Sequence, residues 1–273
     1  MTAPTPISSL VHSSTLVTAG IYLLIRINYI FFFENLFYFL KIIGVITIFL
    51  GRIIACIEID YKKVIAYSTL RQLGLITFIL GFGEIYLRFF QLIRHAIFKS
   101  LLFICVGVVI SSGFGNQDRR IIGKNVINNY FLIVLIGFCC LNLRGFPLLM
   151  GFFSKDLILE ILFSERTNFL ILIIFLISCV FSVSYRVKIY FNSFYIINFG
   201  RRIRSFFYLK KELAFLFLLF FFMSFIGIIS EEFLTIDYLY RFEQSIKILD
   251  FSLIIIGIVF HIYLTNIIKK SKL

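Results

Sequence analysis

The sequence has 273 residues, of which 60% are hydrophobic and only 15% are charged. Soluble domains contain roughly 45–50% apolar and about 25% charged residues, so this composition excludes a chain that is surrounded by water on all sides. The net charge of +13 is divided into short clusters between apolar stretches, which excludes a contiguous basic surface for nucleic acid. We therefore expect an integral membrane protein.

Apolar stretches of spanning length predict an all-α membrane bundle of about eight transmembrane helices, because roughly 20 helical residues cross the hydrocarbon layer. In chain order these stretches lie near residues 7–26, 35–57, 64–82, 86–111, 127–164, 168–190, 212–230 and 250–267. The first residues lack the basic start and apolar core of a cleavable signal or transit peptide. We therefore expect insertion to depend on the first helices themselves.

The stretch 127–164 is too long for one straight crossing, and Pro147 interrupts it after Arg144 and Gly145. Proline removes a backbone donor and clashes with the preceding turn, so a broken helix is predicted. Irregular backbone at membrane depth is tolerated where it faces protein or a water-filled cavity, and paired half-helices recur at transporter ion sites. The structural alternative is a simple proline kink.

Helix 86–111 places Lys99 near its middle, too deep for the amine to reach the membrane surface easily. His95 lies four residues earlier on the same helical face, whereas Arg94 points elsewhere because adjacent residues are about 100° apart. Intramembrane ionisable groups commonly mark proton pathways. The functional hypothesis is a proton relay, and the alternative is a buried lysine bonded to carbonyl groups or to a carboxylate.

Lys155 follows the predicted break and has the carboxylates Asp156 and Glu160 nearby in the sequence. We consider two roles for it: acceptance of a proton that travels along the membrane, or an interfacial ion pair on the second half-helix. Position alone does not decide between them.

Five more of the ionisable residues in or beside the predicted spans are considered individually. His12, in the first span, is more often a packing residue in this setting, and His261, near the end of the last span, is interpreted as structural. Lys41, Arg52 and Arg71 lie near enough to helix ends to extend partly toward the membrane surface, although Arg71 is also placed to line a polar path.

The five cysteines predict buried thiols, because they fall in apolar stretches without metal-site or CxxC spacing. Motifs for nucleotide binding, nucleophilic hydrolysis or metal ligation are absent from the sequence. We therefore expect no cofactor and no metal in this chain, and transport of protons or ions rather than redox chemistry.

Lys and Arg residues are distributed unequally between the two sides of the predicted bundle. They concentrate in 58–63, 112–126, 191–211 and the C-terminal tail, which all fall on the side of residue 1. The opposite side holds few: Arg26, Arg88, Arg166, Arg241 and Lys247. The positive-inside rule therefore predicts both termini on the cytoplasmic or matrix side.

Four motifs resemble the chain 5 family of mitochondrial NADH:ubiquinone oxidoreductase, respiratory complex I. They occur in family-like order at residues 1–15, 60–74, 95–103 and 145–157, and the resemblance covers roughly residues 1–200. It implies an antiporter-like proton-pump subunit of the membrane arm, in the mitochondrial inner membrane, with no cofactor of its own. Flavin and iron–sulfur clusters are expected in other subunits.

The resemblance also implies roles for individual residues. Lys99 resembles the central proton-carrying lysine of the family, and Lys155, with Asp156 beside it, resembles the terminal lysine on the broken helix. His12 and His95 resemble the histidines that bridge the proton path along the middle of the membrane.

The chain also departs from the family pattern. Family members continue upstream with roughly as many helices again. We expect a separate chain to carry the upstream half of the same pump, and the alternative is a truncated or processed product from which this half is lost. Residues 1–190 are interpreted as the second half of the pump core, and 191–273 as a basic matrix loop with C-terminal spans. Arg71 and Gln91 stand where the family has a small polar residue and a second histidine.

The sequence thus predicts a proton-translocating subunit of NADH:ubiquinone oxidoreductase, with the other membrane-arm subunits and the lipid bilayer as its partners. Two alternatives stay open: a subunit of a multisubunit cation/proton antiporter, and a non-catalytic membrane scaffold.

Overall fold

The computed structural model describes residues 7, 11, 15–27, 36–112, 115–118, 130–145, 150–164, 168–195 and 244–270. Within these ranges the regular secondary structure consists of eight α-helices. In chain order they are α1 (Leu16–Arg26), α2 (Leu36–Ile57), α3 (Tyr61–Leu80), α4 (Ile85–Ser112), α5 (Tyr130–Arg144), α6 (Met150–Ser164), α7 (Phe169–Tyr195) and α8 (Gln244–Lys270). The predicted all-α architecture is confirmed.

Within the described part of the chain, four helical segments are long and apolar enough to cross a membrane: Leu36–Ile57, Tyr61–Leu80, Tyr86–Ser111 and Phe169–Val187. Lipid offers no hydrogen bonds to the backbone, so a spanning segment satisfies its own N–H and C=O groups as a helix. Shorter apolar helices lie at α1 and within α5 and α8. The predicted span 212–230 lies outside the described residues.

Helices α2 and α3 form a closely packed hairpin, which glycines make possible. A Cβ atom on Gly44 would lie 2.7 Å from both the backbone N and the Cα of Phe78. On α3, Gly74 is covered by Thr47 and Ile48 of α2. Small residues of this kind allow two helical backbones to approach each other in a membrane protein.

Two apolar clusters hold α4, α5, α6 and α7 against this hairpin. One cluster joins α3, α4 and α5 through Ile65, Phe98 and Leu135. The other joins α3 to α7 and also includes residues of α6, with the rings of Phe78 and Phe175 stacked at 5.4 Å. The helices that carry polar groups are therefore held by apolar contacts on either side of α3.

The predicted broken helix is confirmed at the junction of α5 and α6. Helix α5 ends at Arg144, and Gly145 adopts a φ of +78°, a conformation that glycine tolerates better than other residues. The Gly145 N–H donates to the Asn142 carbonyl oxygen at 3.1 Å, and the Gly151 N–H donates to Asn142 Oδ1 at 3.0 Å. Asn142 therefore satisfies backbone donors that the break would leave unpaired. Pro147 lies outside the described residues.

The connection before α3 and the segment after α4 lie at the same end of the bundle. An isolated antiparallel bridge joins Asp60 to Asp118, and the Tyr61 N–H donates to the Gln117 carbonyl oxygen at 3.1 Å. Asp60 also forms an ion pair with Lys63 at 2.9 Å, and the hydrogen bond from Lys63 lowers the pKa of the Asp60 carboxyl. The contact agrees with the expectation that 58–63 and 112–126 share one side.

Arg52 and Arg71 do not extend toward the membrane surface, so that prediction is wrong, whereas the alternative of an interior polar setting for Arg71 agrees with its contact to Tyr185. Each residue is only 2% exposed. Arg52 Nη1 donates to Ser178 Oγ of α7, and Arg71 Nη1 donates to the hydroxyl of Tyr185, also on α7, at 3.3 Å. Both arginines therefore point into the bundle, where side chains of other helices bind them.

Candidate proton-transfer site

Lys99 and His95 lie on the same face of α4 and are both buried, as the sequence predicts. The Lys99 ammonium donates a hydrogen bond to Ser68 Oγ of α3. Among the described residues, neither ring nitrogen of His95 has a hydrogen-bond partner. A hydroxyl of the neighbouring helix thus binds Lys99, whereas both ring nitrogens of His95 are without a hydrogen-bond partner in the described part of the chain.

One turn before His95, Gln91 forms a second polar contact between α4 and α3. Its side-chain amide donates to Gln72 Oε1 at 3.0 Å, and both residues are fully buried. A glutamine amide does not titrate near neutral pH, unlike a histidine. Gln91 can therefore organise hydrogen bonds at this position but cannot carry a proton as an ionised group.

Tyr185 links two buried arginines beside Lys99. Its hydroxyl accepts a hydrogen bond from Arg71 at 3.3 Å and another from Arg186 Nε at 3.0 Å. Arg71 lies three residues, about one helical turn, after the Ser68 that binds Lys99. The polar contact between α3 and α7 therefore lies about one turn of α3 from the contact that binds Lys99.

A small cavity lies next to these arginines and has room for about one water molecule. Its polar lining comes from α2, α3, α4, α6 and α8, and apolar residues of α7 close it. The charged lining residues are Arg52, Arg71, Arg94, Lys155 and Asp250. Lys155, on the half-helix α6 that follows the break, forms one wall of the cavity.

Arg94 fixes the broken helix to α4. Its Nη1 donates to the Gly151 carbonyl oxygen at 3.0 Å, in the first turn of α6. Because the Gly151 N–H is bound by Asn142, both backbone groups of Gly151 have partners. The start of α6, four residues before Lys155, is therefore held by side chains from two other helices.

Lys155 lies against Asp250 of α8, with 3.5 Å between Nζ and Oδ1. The side chains are 13% and 2% exposed. The sequence indicated Asp156 and Glu160 as the nearby carboxylates. The backbone of Asp156 belongs to α6, but its side chain lies outside the described residues, as does the whole of His12.

Six basic side chains are buried together in this region, and we call them the cationic cluster. They are Arg52, Arg71, Arg94, Lys99, Lys155 and Arg186. Arg71 and Arg186 lie within electrostatic range of both Lys99 and Lys155. Both predicted lysines therefore lie near the same two buried arginines.

Sequence reasoning missed several of these groups. Arg186, Tyr185 and Asp250 were not singled out, although a buried arginine inside an apolar helix is a recognisable signal. Asp250 falls at the start of the predicted span 250–267, which is where a solvated helix end is expected. Because α8 begins at Gln244, Asp250 lies inside the helix instead.

The chain is similar to proteins whose function has been named. A relative from Locusta migratoria, "NADH-ubiquinone oxidoreductase chain 5", is 44% identical over 193 residues, which cover 71% of this chain and 34% of that protein. Chain 5 proteins of Artemia franciscana and Caenorhabditis elegans are 48% and 40% identical, covering 69% and 72% of this chain and 34% and 38% of theirs. The chain spans about one third of the length of these curated relatives.

Two solved structures share the fold. An archaeal membrane-bound sulfane sulfur reductase has a TM-score of 0.68 at 24% identity, over 85% of this chain and 47% of the other. The Mrp complex from Dietzia sp. DQ12-45-1b has a TM-score of 0.57 at 20% identity, over 97% and 35%. At these identities the likeness shows the fold alone.

The family model described as "NADH:quinone oxidoreductase/Mrp antiporter, TM" matches residues 1–182 of the 273. This range contains the four motifs that suggested the resemblance to complex I, and the relatives with that name confirm it. The chain belongs to the NADH:quinone oxidoreductase/Mrp antiporter transmembrane family.

Proposed function

We propose that this chain is a proton-translocating membrane-arm subunit of a mitochondrial NADH:ubiquinone oxidoreductase. In this proposal Lys99 and Lys155 carry protons, His95 and His12 pass them along the membrane, and Asp156 assists at Lys155. The chain contributes no redox step, because quinone reduction takes place elsewhere in the complex. Its partners are the other membrane-arm subunits, and the expected chain carrying the upstream half of the pump stays a prediction.

The observation that supports this proposal is that two lysines lie deep in the bundle near the same buried arginines. Lys99 binds Ser68, and Arg71 follows one turn later and lines the cavity that also contains Lys155. Arginine practically never releases its proton. The groups able to exchange protons in this region are therefore the lysine amines, the His95 imidazole, the hydroxyls of Ser68 and Tyr185, and a water molecule, for which the cavity has room.

The charge of the cavity favours protons over metal cations as the transported species. Hard cations bind to oxygen ligands, whereas the described lining presents four cationic side chains and one carboxylate, Asp250. Like charges at close range in a partly buried site repel a metal ion. Transfer between fixed amines and hydroxyls requires no free cation to occupy the cavity.

A cation/proton antiporter subunit is the second candidate, because the matching family includes Mrp antiporters and the Mrp complex shares the fold. The two candidates differ in a measurable way. An antiporter subunit requires sodium or potassium exchange for proton movement, whereas the proposed pump moves protons in a sodium- and potassium-free medium when NADH is oxidised.

The test of the proposal replaces Lys99 in the assembled complex, reconstituted into proteoliposomes. Lys99→Met removes the amine at similar volume, and Lys99→Arg keeps the charge but does not release a proton. We expect both variants to assemble and to oxidise NADH with uncoupler present, but to translocate fewer protons per electron. Lys63→Met, at an exposed lysine, serves as the control.

A full proton-to-electron ratio in both Lys99 variants would contradict the relay. Loss of pumping in Lys99→Met with full activity in Lys99→Arg would show that position 99 needs charge and not proton exchange. Either result removes Lys99 from the list of proton carriers.

A further inference from the structure

Asp250 occupies an unusual place for a carboxylate in an apolar helix. It lies in the second turn of α8, its residue exposure is 1%, and its Oδ1 is 3.5 Å from Lys155 Nζ. Its other oxygen, Oδ2, has no hydrogen-bond partner among the described residues and is also buried. A buried carboxylate is costly without a cation, so its position beside Lys155 requires an explanation.

Helix α8 is held in this position by contacts with α7. Gly257 lies directly against Val183, and the rings of Phe260 and Phe181 meet edge to face at 5.4 Å. Gly257 is two helical turns after Asp250 and therefore lies on the same face, as does the buried His261. The face of α8 that packs on the bundle is thus the face that presents Asp250.

The local charge explains why a carboxylate is needed here. Lys155 shares its cavity with Arg52, Arg71 and Arg94, and Asp250 is the carboxylate in the described part of that lining. Without Asp250, the described lining of the cavity would hold the Lys155 ammonium and three arginines and no carboxylate. A separation of 3.5 Å is loose for an ion pair, and the adjacent space accommodates about one water molecule.

We propose that Asp250 is the positioning residue of Lys155: its carboxylate holds the protonated amine at the break of the α5–α6 helix, in the cavity where that amine exchanges its proton. Helix α8 thereby completes a cavity whose other charged lining residues lie in the family-matched range 1–182. This inference rests on the proposed pumping function. It goes further by assigning a role to a helix that lies outside the matched segment.

The experiment uses the assembled complex with four variants: Asp250→Asn, Asp250→Glu, Lys155→Met, and the double variant Lys155→Met with Asp250→Asn. Two quantities are measured, namely the half-life of uncoupled NADH oxidation on heating and the number of protons translocated per electron in proteoliposomes. Ser252→Ala is the control, since Ser252 is exposed on the same helix two residues away.

We expect each single neutral variant to shorten the half-life several-fold, because it leaves one buried charge without its partner. The double variant should recover most of the loss, because neither charge remains. Asp250→Asn should lose most of its proton translocation, Asp250→Glu should keep most of it, and Ser252→Ala should match the wild type.

Additive shortening of the half-life in the double variant would show that the two side chains do not act as a pair and would overturn the proposal. The proposal would also be overturned if the double variant recovered its half-life but Asp250→Asn kept full proton translocation. In that case the ion pair would only stabilise the structure. Full pumping in Lys99→Met is a separate result: it contradicts the proposed function and leaves the measured pairing of Lys155 with Asp250 intact.

Discussion

The buried basic residues of this chain divide into two chemical types with different roles. Lysine is a compact amine that can gain and lose a proton, whereas arginine keeps its charge and presents several N–H donors in a fixed plane. The arginines here bind fixed acceptors: Ser178 for Arg52, Tyr185 for Arg71 and the Gly151 carbonyl for Arg94. The arginines therefore organise the site, and the lysines are the groups suited to proton exchange.

Ser68 provides a test at the scale of a single hydrogen bond. Ser68→Ala removes the hydroxyl that binds Lys99. We expect the pumping rate to fall about tenfold while the complex still assembles, since a hydrogen bond to a charged group contributes about 1.5–3 kcal/mol. The measurement is the initial rate of vesicle acidification during NADH oxidation.

Ser182→Ala is the matched control for this variant. Ser182 is as buried as Ser68 and, like it, donates to the carbonyl oxygen three residues earlier in its own helix. Equal rates in the two variants would show that the contact of Ser68 with Lys99 has no role in pumping.

At the scale of helices, the hairpin of α2 and α3 sets the position of the polar path. Arg52 of α2 and Arg71 of α3 line the same cavity, and Gly51 lies against the backbone of Arg71. The close approach of the two helices at Gly44 brings these two arginines within reach of α7 on one side of the hairpin. A change in the distance between α2 and α3 should therefore move Arg52 and Arg71 in the cavity as well as change the stability of the protein.

Gly44→Ala tests this dependence. The added methyl group would overlap the backbone of Phe78, and overpacking of this kind costs about 1–3 kcal/mol. We expect less assembled complex on native gels and faster thermal inactivation. Gly20→Ala is the control, because the space around Gly20 is open and alanine favours a helix by about 1 kcal/mol over glycine. Equal assembly of both variants would show that α2 and α3 have room to separate at Gly44.

At the scale of the whole molecule, the outer faces of the bundle are strongly apolar. Leu16 on α1, Tyr86 on α4 and Ile255 on α8 are each more than 60% exposed. Such surfaces fit lipid or other membrane subunits and not water. In a soluble protein, most charged residues lie at the surface and large apolar residues are mostly buried. This bundle instead exposes large apolar residues and buries several charged ones, in agreement with the candidate membrane spans.

The orientation of the bundle in the membrane is a prediction from the distribution of basic residues. A cysteine introduced at Arg202 should react with a membrane-impermeant thiol reagent from the matrix side. Asp118→Cys should behave in the same way, because it lies at the end of the bundle predicted to face the matrix, and Asn168→Cys should react from the opposite side. Labelling of position 202 from the intermembrane space would reverse the assignment of both termini.

The sequence by itself predicted the break and most bounds of the described helices closely, although α8 begins six residues before the predicted span 250–267 and the span 212–230 lies outside the described residues. Helix α2 was predicted at 35–57 and lies at Leu36–Ile57, and the break was placed at the residues where α5 ends. These features depend on local properties: hydropathy fixes which segments enter lipid, and proline and glycine fix where a helix stops. Lys99 and Lys155 were found for the same reason, since a charge inside an apolar span is visible in the sequence.

Tertiary structure alone decided which charges meet. Asp250 and Lys155 are distant in sequence, and Arg52, Arg71 and Tyr185 come together from three different helices. The local sequence pattern shows which residues share a face of a helix. It does not give the rotation of that helix against its neighbour or the depth of a residue in the bundle, because both depend on the packing of glycines and aromatic rings along the whole bundle. For this reason Arg52 and Arg71 lie in the interior rather than at the membrane surface, and the partner of Lys155 comes from the last helix rather than from the adjacent residues.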